Sequence, residues 1–356
     1  MTRREAISLL AAPALAAEPV YWPKSSDWET RTPAQSGMDG DAVEEALRYA
    51  GEHHSTGVVA LRHGRIVAER YWGNWKRDSA GPIYSASKSL ASTLIGMAIG
   101  DGKAKGVHQS MADFVPAWKG SGKEKITIRH ALTMTSGIKV GVDQPAPGAY
   151  QFDATAALPL EHPPGTHWAY NTPVYRMLLS VVEVATGETL PEYTRRKVLA
   201  PLGMEHGEWQ NQPAGERLNW TWFSCSIRDM CRFGLLASRG GEWNGKQLVS
   251  AKYLKEAITS SQEMNRSYGY LWWLNGQTSH LLPAGAAREG MLWPDCPADA
   301  YGALGALDKK IYVVPSLDLV VARHGGAAGV ARVAGPNQSF DNELLGRFCR
   351  AVKDRR

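Results

Sequence analysis

Apolar residues recur along this chain of 356 residues in two rhythms, one helical and one alternating. The stretch DGDAVEEALRYAGEHH sets Val43, Ala46, Leu47 and Ala50 at helical spacing, which predicts an amphipathic helix. GVVALRHGRIVAERYWG follows as two β-rich runs joined at His63–Gly64, a hairpin signal. An apolar run from Leu90 to Ile99 then predicts a helix from about Ser85 to Ile99, closed by Gly100 and Gly102. Between about residues 105 and 225 helical periodicity dominates and strand-like text is scarce, apart from a loop rich in Pro and Gly. SIRDMCRFGLLASRG predicts another helix, stopped by Gly240–Gly241, and YGYLWWL predicts a strand. YGALGALDKKIYVVPSLDLVVARHGG alternates β-rich runs with turns at Leu307–Asp308 and Pro315–Ser316, and SFDNELLGRFCRAVKD predicts the last helix. No internal repeat of fixed period is visible.

Strands near both ends, joined by tight turns, predict an α/β (α+β) fold. One antiparallel sheet is built from the two ends of the chain and flanked by helices, with the mostly helical region of about 105–225 inserted beside it. The cleft between sheet and insertion is the expected active site.

Composition adds exclusions. A hydrophobic content of 44% with 21% charged residues fits a globular chain with a substantial core. The net charge of +5 is modest and no Lys/Arg-rich block occurs, which argues against a nucleic-acid partner. Cys225, Cys231, Cys296 and Cys349 show no metal-ligand spacing and no histidine cluster joins them, so neither a metal nor a cofactor is expected. Free buried thiols are the default, although the even number permits disulfides.

The N-terminus, MTRREAISLLAAPALAAEP, has a basic start, a short apolar stretch from Ala6 to Leu15, and Ala14 and Ala16 placed for A-x-A cleavage. Residues 1–17 are therefore expected to be a signal peptide, faintly twin-arginine-like at Thr2–Arg3–Arg4, and residues 18–356 the exported domain, periplasmic or secreted. No later segment holds 18 uninterrupted apolar residues, so no transmembrane helix is expected.

The candidate chemistry centres on Ser85–Ala86–Ser87–Lys88. A serine and a lysine one helical turn apart emerge on the same face, where the amine can take the hydroxyl proton. A helix N-terminus also stabilises developing negative charge. Ser85 could equally be an ordinary N-cap. A second copy, Ser136–Gly137–Ile138–Lys139, contains a glycine where a helix should be ending, so its geometry is not assured.

Further segments follow in order: ITIRHALTMTSGI, PPGTHWAYNTPVY, IRDMCRFGLLASRGGEWNGKQLV, YGYLWW and IYVVPSLDLVV. Together with SASK they resemble the serine β-lactamase/penicillin-binding-protein superfamily over roughly residues 28–350. The likeness is to its class C-like branch, with β-lactamase-type esterases and 6-aminohexanoate-oligomer hydrolases. The resemblance implies a serine β-lactamase-like fold and a serine hydrolase that works through an acyl-enzyme on a small ester or amide. It implies Ser85 as nucleophile, Lys88 as its proton acceptor and Tyr170 as a proton relay; relatives carry S-D-N in that second place.

Two departures stand out. The usual Tyr-x-Asn is here Tyr170–Asn171–Thr172, with Asn171 one position early as a candidate substrate contact. The third motif, usually Lys or His before a variable residue and Gly, falls on Ala303–Leu304–Gly305 and lacks the cation or imidazole. The second oxyanion donor would be the Ala306 amide, beside that of Ser85 and next to Gly305. His324, followed by two glycines, is read as a turn or surface residue, and Arg129 and His130 as packing and hydrogen-bonding residues. Trp168, Trp272, Trp273 and Trp293 are candidates for pocket walls, although Trp272 and Trp273 suit core packing equally well. The rival readings are a non-catalytic penicillin-binding-like module, or a true β-lactamase or D-amino-acid peptidase. Ester, linear amide, D-peptide and β-lactam share the same acyl-enzyme chemistry, so the motifs define a reaction class.

Overall fold

Six antiparallel strands drawn from the two ends of the chain form the central sheet. The computed structural model describes residues 20–25, 27–140, 151–211, 218–329 and 339–354. The expected leader over residues 1–17 lies outside them, as does most of the Pro/Gly-rich loop, 141–150. The strands are β1 (Ser55–Arg62), β2 (Arg65–Tyr71), β3 (Trp273–Leu274), β4 (Tyr301–Gly305), β5 (Lys309–Val314) and β6 (Leu319–Gly325). Their order across the sheet is β2-β1-β6-β5-β4-β3.

The predicted turns are present for local reasons. His63 and Gly64 both have positive φ, the backbone that a two-residue hairpin loop needs to match strand twist. Leu307 and Asp308 do the same between β4 and β5.

Period-two alternation sends the strands' side chains to two cores. Val58, Ala60, Tyr312, Val314, Leu319 and Val321 meet α1 (Gly40–Glu52) and the last helix. Val43, Ala46, Leu47 and Ala50 are the buried face of α1, as the spacing predicts. Val59, Leu61, Ile311, Val313, Val320 and Ala322 face the larger core, which includes α2 (Ser87–Gly100), α3 (Thr172–Thr186) and α4 (Ile227–Ser238). The last helix, α5, runs Phe340–Ala351.

α2 is buried continuously from Ser87 to Ala98. A helix buried on every side must have its polar groups partnered: Ser89 donates to the Leu271 carbonyl at 2.7 Å and Thr93 to that of Ser89 at 3.0 Å.

The structure adds detail in two places. The few strands of the stretch 105–225 include Glu208–Asn211 and Trp220–Ser226, and Trp220–Ser226 lies between Glu208–Asn211 and Ala80–Pro82 in a small second sheet. YGYLWWL yields only the two-residue β3, because Leu271 at φ 61° breaks the extended run before it. Among the described residues no helix is long and apolar enough to cross a membrane.

Candidate active site

Ser85 sits in a 3-10 turn, Tyr84–Ala86, immediately ahead of α2. Its Oγ is not a helix cap, since α2 begins with no side-chain cap. Instead, the Lys88 Nζ donates to it at 2.9 Å. Tyr84 enters this turn at φ 47°, a conformation that costs a non-glycine residue energy and that clusters at functional sites.

Lys88 is 2% exposed. Its amine touches the Thr172 Oγ1 at 3.4 Å and lies over the rings of Tyr170 (4.8 Å) and Tyr175 (4.3 Å). Among the described residues no carboxylate pairs with it. Burial, reinforced by the Arg176 guanidinium, pushes its pKa well below the usual lysine range. A neutral amine can accept the serine proton, and an ordinary ammonium cannot.

A cleft of about 270 Å³ opens over Ser85. Tyr170, Trp273, Trp293, Leu292 and Leu304 supply aromatic and aliphatic walls. Gly305 and Ala306 line it together with Ser85. The antiparallel pair Ser279–Leu281 and Ala287–Glu289 contributes His280 and Arg288, and the far end holds Lys310, Ser339 and Asp341. None of these hairpin or far-end residues carries a local sequence signal, because the fold brings them in from separate elements. Trp272, by contrast, is fully buried between Phe233 and Tyr301, and Trp168 packs on Tyr170 and Tyr268.

The Asn171 assignment is corrected. Its Oδ1 caps α3 through the Val174 amide at 3.1 Å, its Nδ2 donates to the carbonyls of Ile138 (2.9 Å) and Lys139 (3.3 Å), and it lies outside the cleft lining. Thr172, which holds the third position of the motif, is the residue that reaches Lys88.

The other candidates are accounted for elsewhere. In the second S-x-x-K, Gly137 has φ 75°, Ser136 Oγ accepts from the Ile138 amide at 3.3 Å, and Lys139 pairs with Glu161 at 3.6 Å. His324 is buried, not at the surface; it stacks on Trp75 and bonds Thr56, and burial together with Lys309 pushes its pKa down to about 3. His130 completes a capping box with Thr127, and Arg129 donates to the Ser261 carbonyl. Among the described residues no group of His, Cys, Asp and Glu is arranged to hold a metal ion.

Comparison with known proteins agrees with this architecture. The Beta-lactamase family profile matches residues 41–325. The 6-aminohexanoate-dimer hydrolase of Paenarthrobacter ureafaciens is 24% identical over 311 residues, 76% of this chain and 78% of that protein. Esterase EstB of Burkholderia gladioli is 29% identical over 196 residues, 46% of this chain and 49% of the esterase. Of the D-aminopeptidase from Cereibacter sphaeroides the chain spans only 36%. A solved family VIII carboxylesterase has the same fold, with a TM-score of 0.68 at 17% identity over 88% of this chain and 96% of that one. With four-fifths of its length inside the family match, the chain belongs to the beta-lactamase family.

Proposed function

We propose that the protein is a serine hydrolase that acts through an acyl-enzyme on small ester or amide substrates. The carrying observation is the Ser85 Oγ–Lys88 Nζ contact of 2.9 Å, with the amine buried. Neutral Lys88 takes the hydroxyl proton as Ser85 Oγ attacks the substrate carbonyl. The amides of Ser85 and Ala306 hold the oxyanion. Tyr170, with its ring beside the Lys88 amine, passes the proton to the leaving group. The C–O or C–N bond then breaks to leave an acyl-serine. Water attacks the ester by the reverse route and releases the acid. The ester and amide hydrolases among the relatives support this substrate class.

Residues 18–356 form the hydrolase domain in this reading, exported by the leader at 1–17. Intact-mass measurement on secreted or periplasmic protein would show cleavage near Ala16 or Ala17; retention of Met1 or Thr2 would count against export.

A fluorescent phosphonate that labels activated serines, followed by peptide mapping, tests the hydrolase reading. The label should fall on Ser85 and vanish in Ser85→Ala. An unlabelled, folded wild-type protein would favour a binding module.

A further inference from the structure

Cys296 and Cys349 are distant in sequence and meet in the core. Cys296 follows Trp293 of the cleft wall, and Cys349 lies in the last turn of α5. One face of α5 clasps the Cys296 segment. Asn342 accepts from the Asp295 amide and donates to its carboxylate, both at 2.9 Å. Gly346 lies so near that a Cβ there would sit 3.1 Å from that of Asp295. Arg350 pairs with the same carboxylate at 3.6 Å. Helical spacing puts 342, 346, 349 and 350 on one face. Cys296 and Cys349 are free thiols buried in the same apolar cluster, 5% and 2% exposed, and each acts electrostatically on the other.

We propose that Cys296 and Cys349 form an intrachain disulfide that fastens the Trp293 wall of the cleft to α5. The close approach of Asp295 to Gly346, Asn342 and Arg350 holds the segment of Cys296 against the face of α5 that carries Cys349, the proximity a disulfide requires. The N-terminal end of α5 carries Ser339 and Asp341 into the same cleft, so the bond fixes two walls relative to one another. Cys231 donates to the Val59 carbonyl at 3.6 Å, and it remains a thiol along with Cys225.

The oxidant is a small disulfide of the glutathione type. One protein thiolate attacks it to give a mixed disulfide and one released thiol; the second protein thiolate then displaces the other. The protein loses two protons and two electrons, and the oxidant becomes two thiols. Burial shields the pair in the folded protein, so the bond forms during folding. It closes a long loop, for which constraint of the unfolded chain stabilises most.

The full chain, unfolded in denaturant and refolded in mixed reduced and oxidised glutathione, tests this beside a reduced control. The oxidised protein should be lighter by about 2 Da, the mass of two hydrogens. When the refolded protein is denatured without reductant, two of its four cysteines should alkylate, one peptide pair should link Cys296 to Cys349, and Tm should exceed the control's by several degrees. Cys349→Ser should abolish that difference. Four alkylated cysteines in natively refolded wild type, or a Cys225–Cys231 bridge instead, would overturn the proposal; because this is read on wild type, it holds even if the variant misfolds.

Discussion

The α-carbon of Gly305 rests against the Ile83 carbonyl so closely that a Cβ would fall 2.2 Å from the oxygen and 3.2 Å from the Ala86 nitrogen. That contact seats the end of β4 on the turn carrying Ser85 and brings Ala306 alongside it. The obstacle to a side chain is backbone, so Gly305→Ala must push strand and turn apart. A displacement approaching 1 Å costs on the order of 100-fold in rate. We expect kcat/KM for a short-chain ester to fall by about that factor with circular dichroism unchanged. Unaltered kinetics would make the close approach incidental.

Thr172 and Asn171 should separate cleanly in mutagenesis. Thr172→Val removes the hydroxyl beside the Lys88 amine and should slow acylation roughly 10-fold, the loss of about one hydrogen bond. Asn171→Ala removes an N-cap and should cost about 0.5–2 kcal/mol of stability, read from denaturant melts. Its kcat should change little. The opposite pattern would restore Asn171 to the site.

These two residues mark how far the sequence could be read. The resemblance of six ordered segments to a known family pointed to Ser85, Lys88 and Tyr170, and the structure places the Lys88 amine beside both Ser85 and Tyr170 because α2 and the start of α3 pack together. Turn chemistry and period-two alternation were enough for the sheet, because His63–Gly64 and Leu307–Asp308 adopt the backbone their turns require. The Asn171–Thr172 exchange was illegible: which side chain turns inward depends on where the α3 cap falls. The hairpin carrying Arg288 and the approach of α5 were equally hidden, since long-range packing creates both.

Lys88 should make the protein pH-sensitive in a defined direction. Its folded-state pKa lies below the unfolded value of about 10.4, so between the two the unfolded chain binds more protons. Stability therefore rises with pH across that window, and the burial penalty is fully present below it. Lys88→Met, inactive but similar in shape, should melt at a higher temperature than wild type at pH 7. The gap should narrow as pH approaches about 10. A variant less stable than wild type at neutral pH would mean that burial does not disfavour the charged form of Lys88.

Substrate preference follows from Ala303, which is 1% exposed and carries no charge. Arg323 cannot replace the missing cation, since its guanidinium is held by Ser55 and by the carbonyls of His53, Leu307, Asp308 and Gly326. A lost charge-assisted hydrogen bond to a lactam carboxylate is about 1.5–3 kcal/mol, on the order of 10- to 100-fold. Nitrocefin should turn over more slowly than p-nitrophenyl esters, and Arg288→Ala, which removes a guanidinium from the cleft lining, should reduce what remains. Nitrocefin hydrolysis faster than that of every ester and amide tested would contradict this.

Single-turnover acylation of Lys88→Arg decides whether Lys88 is the proton acceptor. Guanidinium keeps the positive charge but cannot deprotonate near neutral pH. The variant, with folding verified by circular dichroism and with Ser85→Ala and Tyr170→Phe alongside, should lose acylation by about 100- to 10,000-fold, as expected when a general base is removed. Near-normal acylation by Lys88→Arg would reduce Lys88 to a counter-charge and contradict the mechanism.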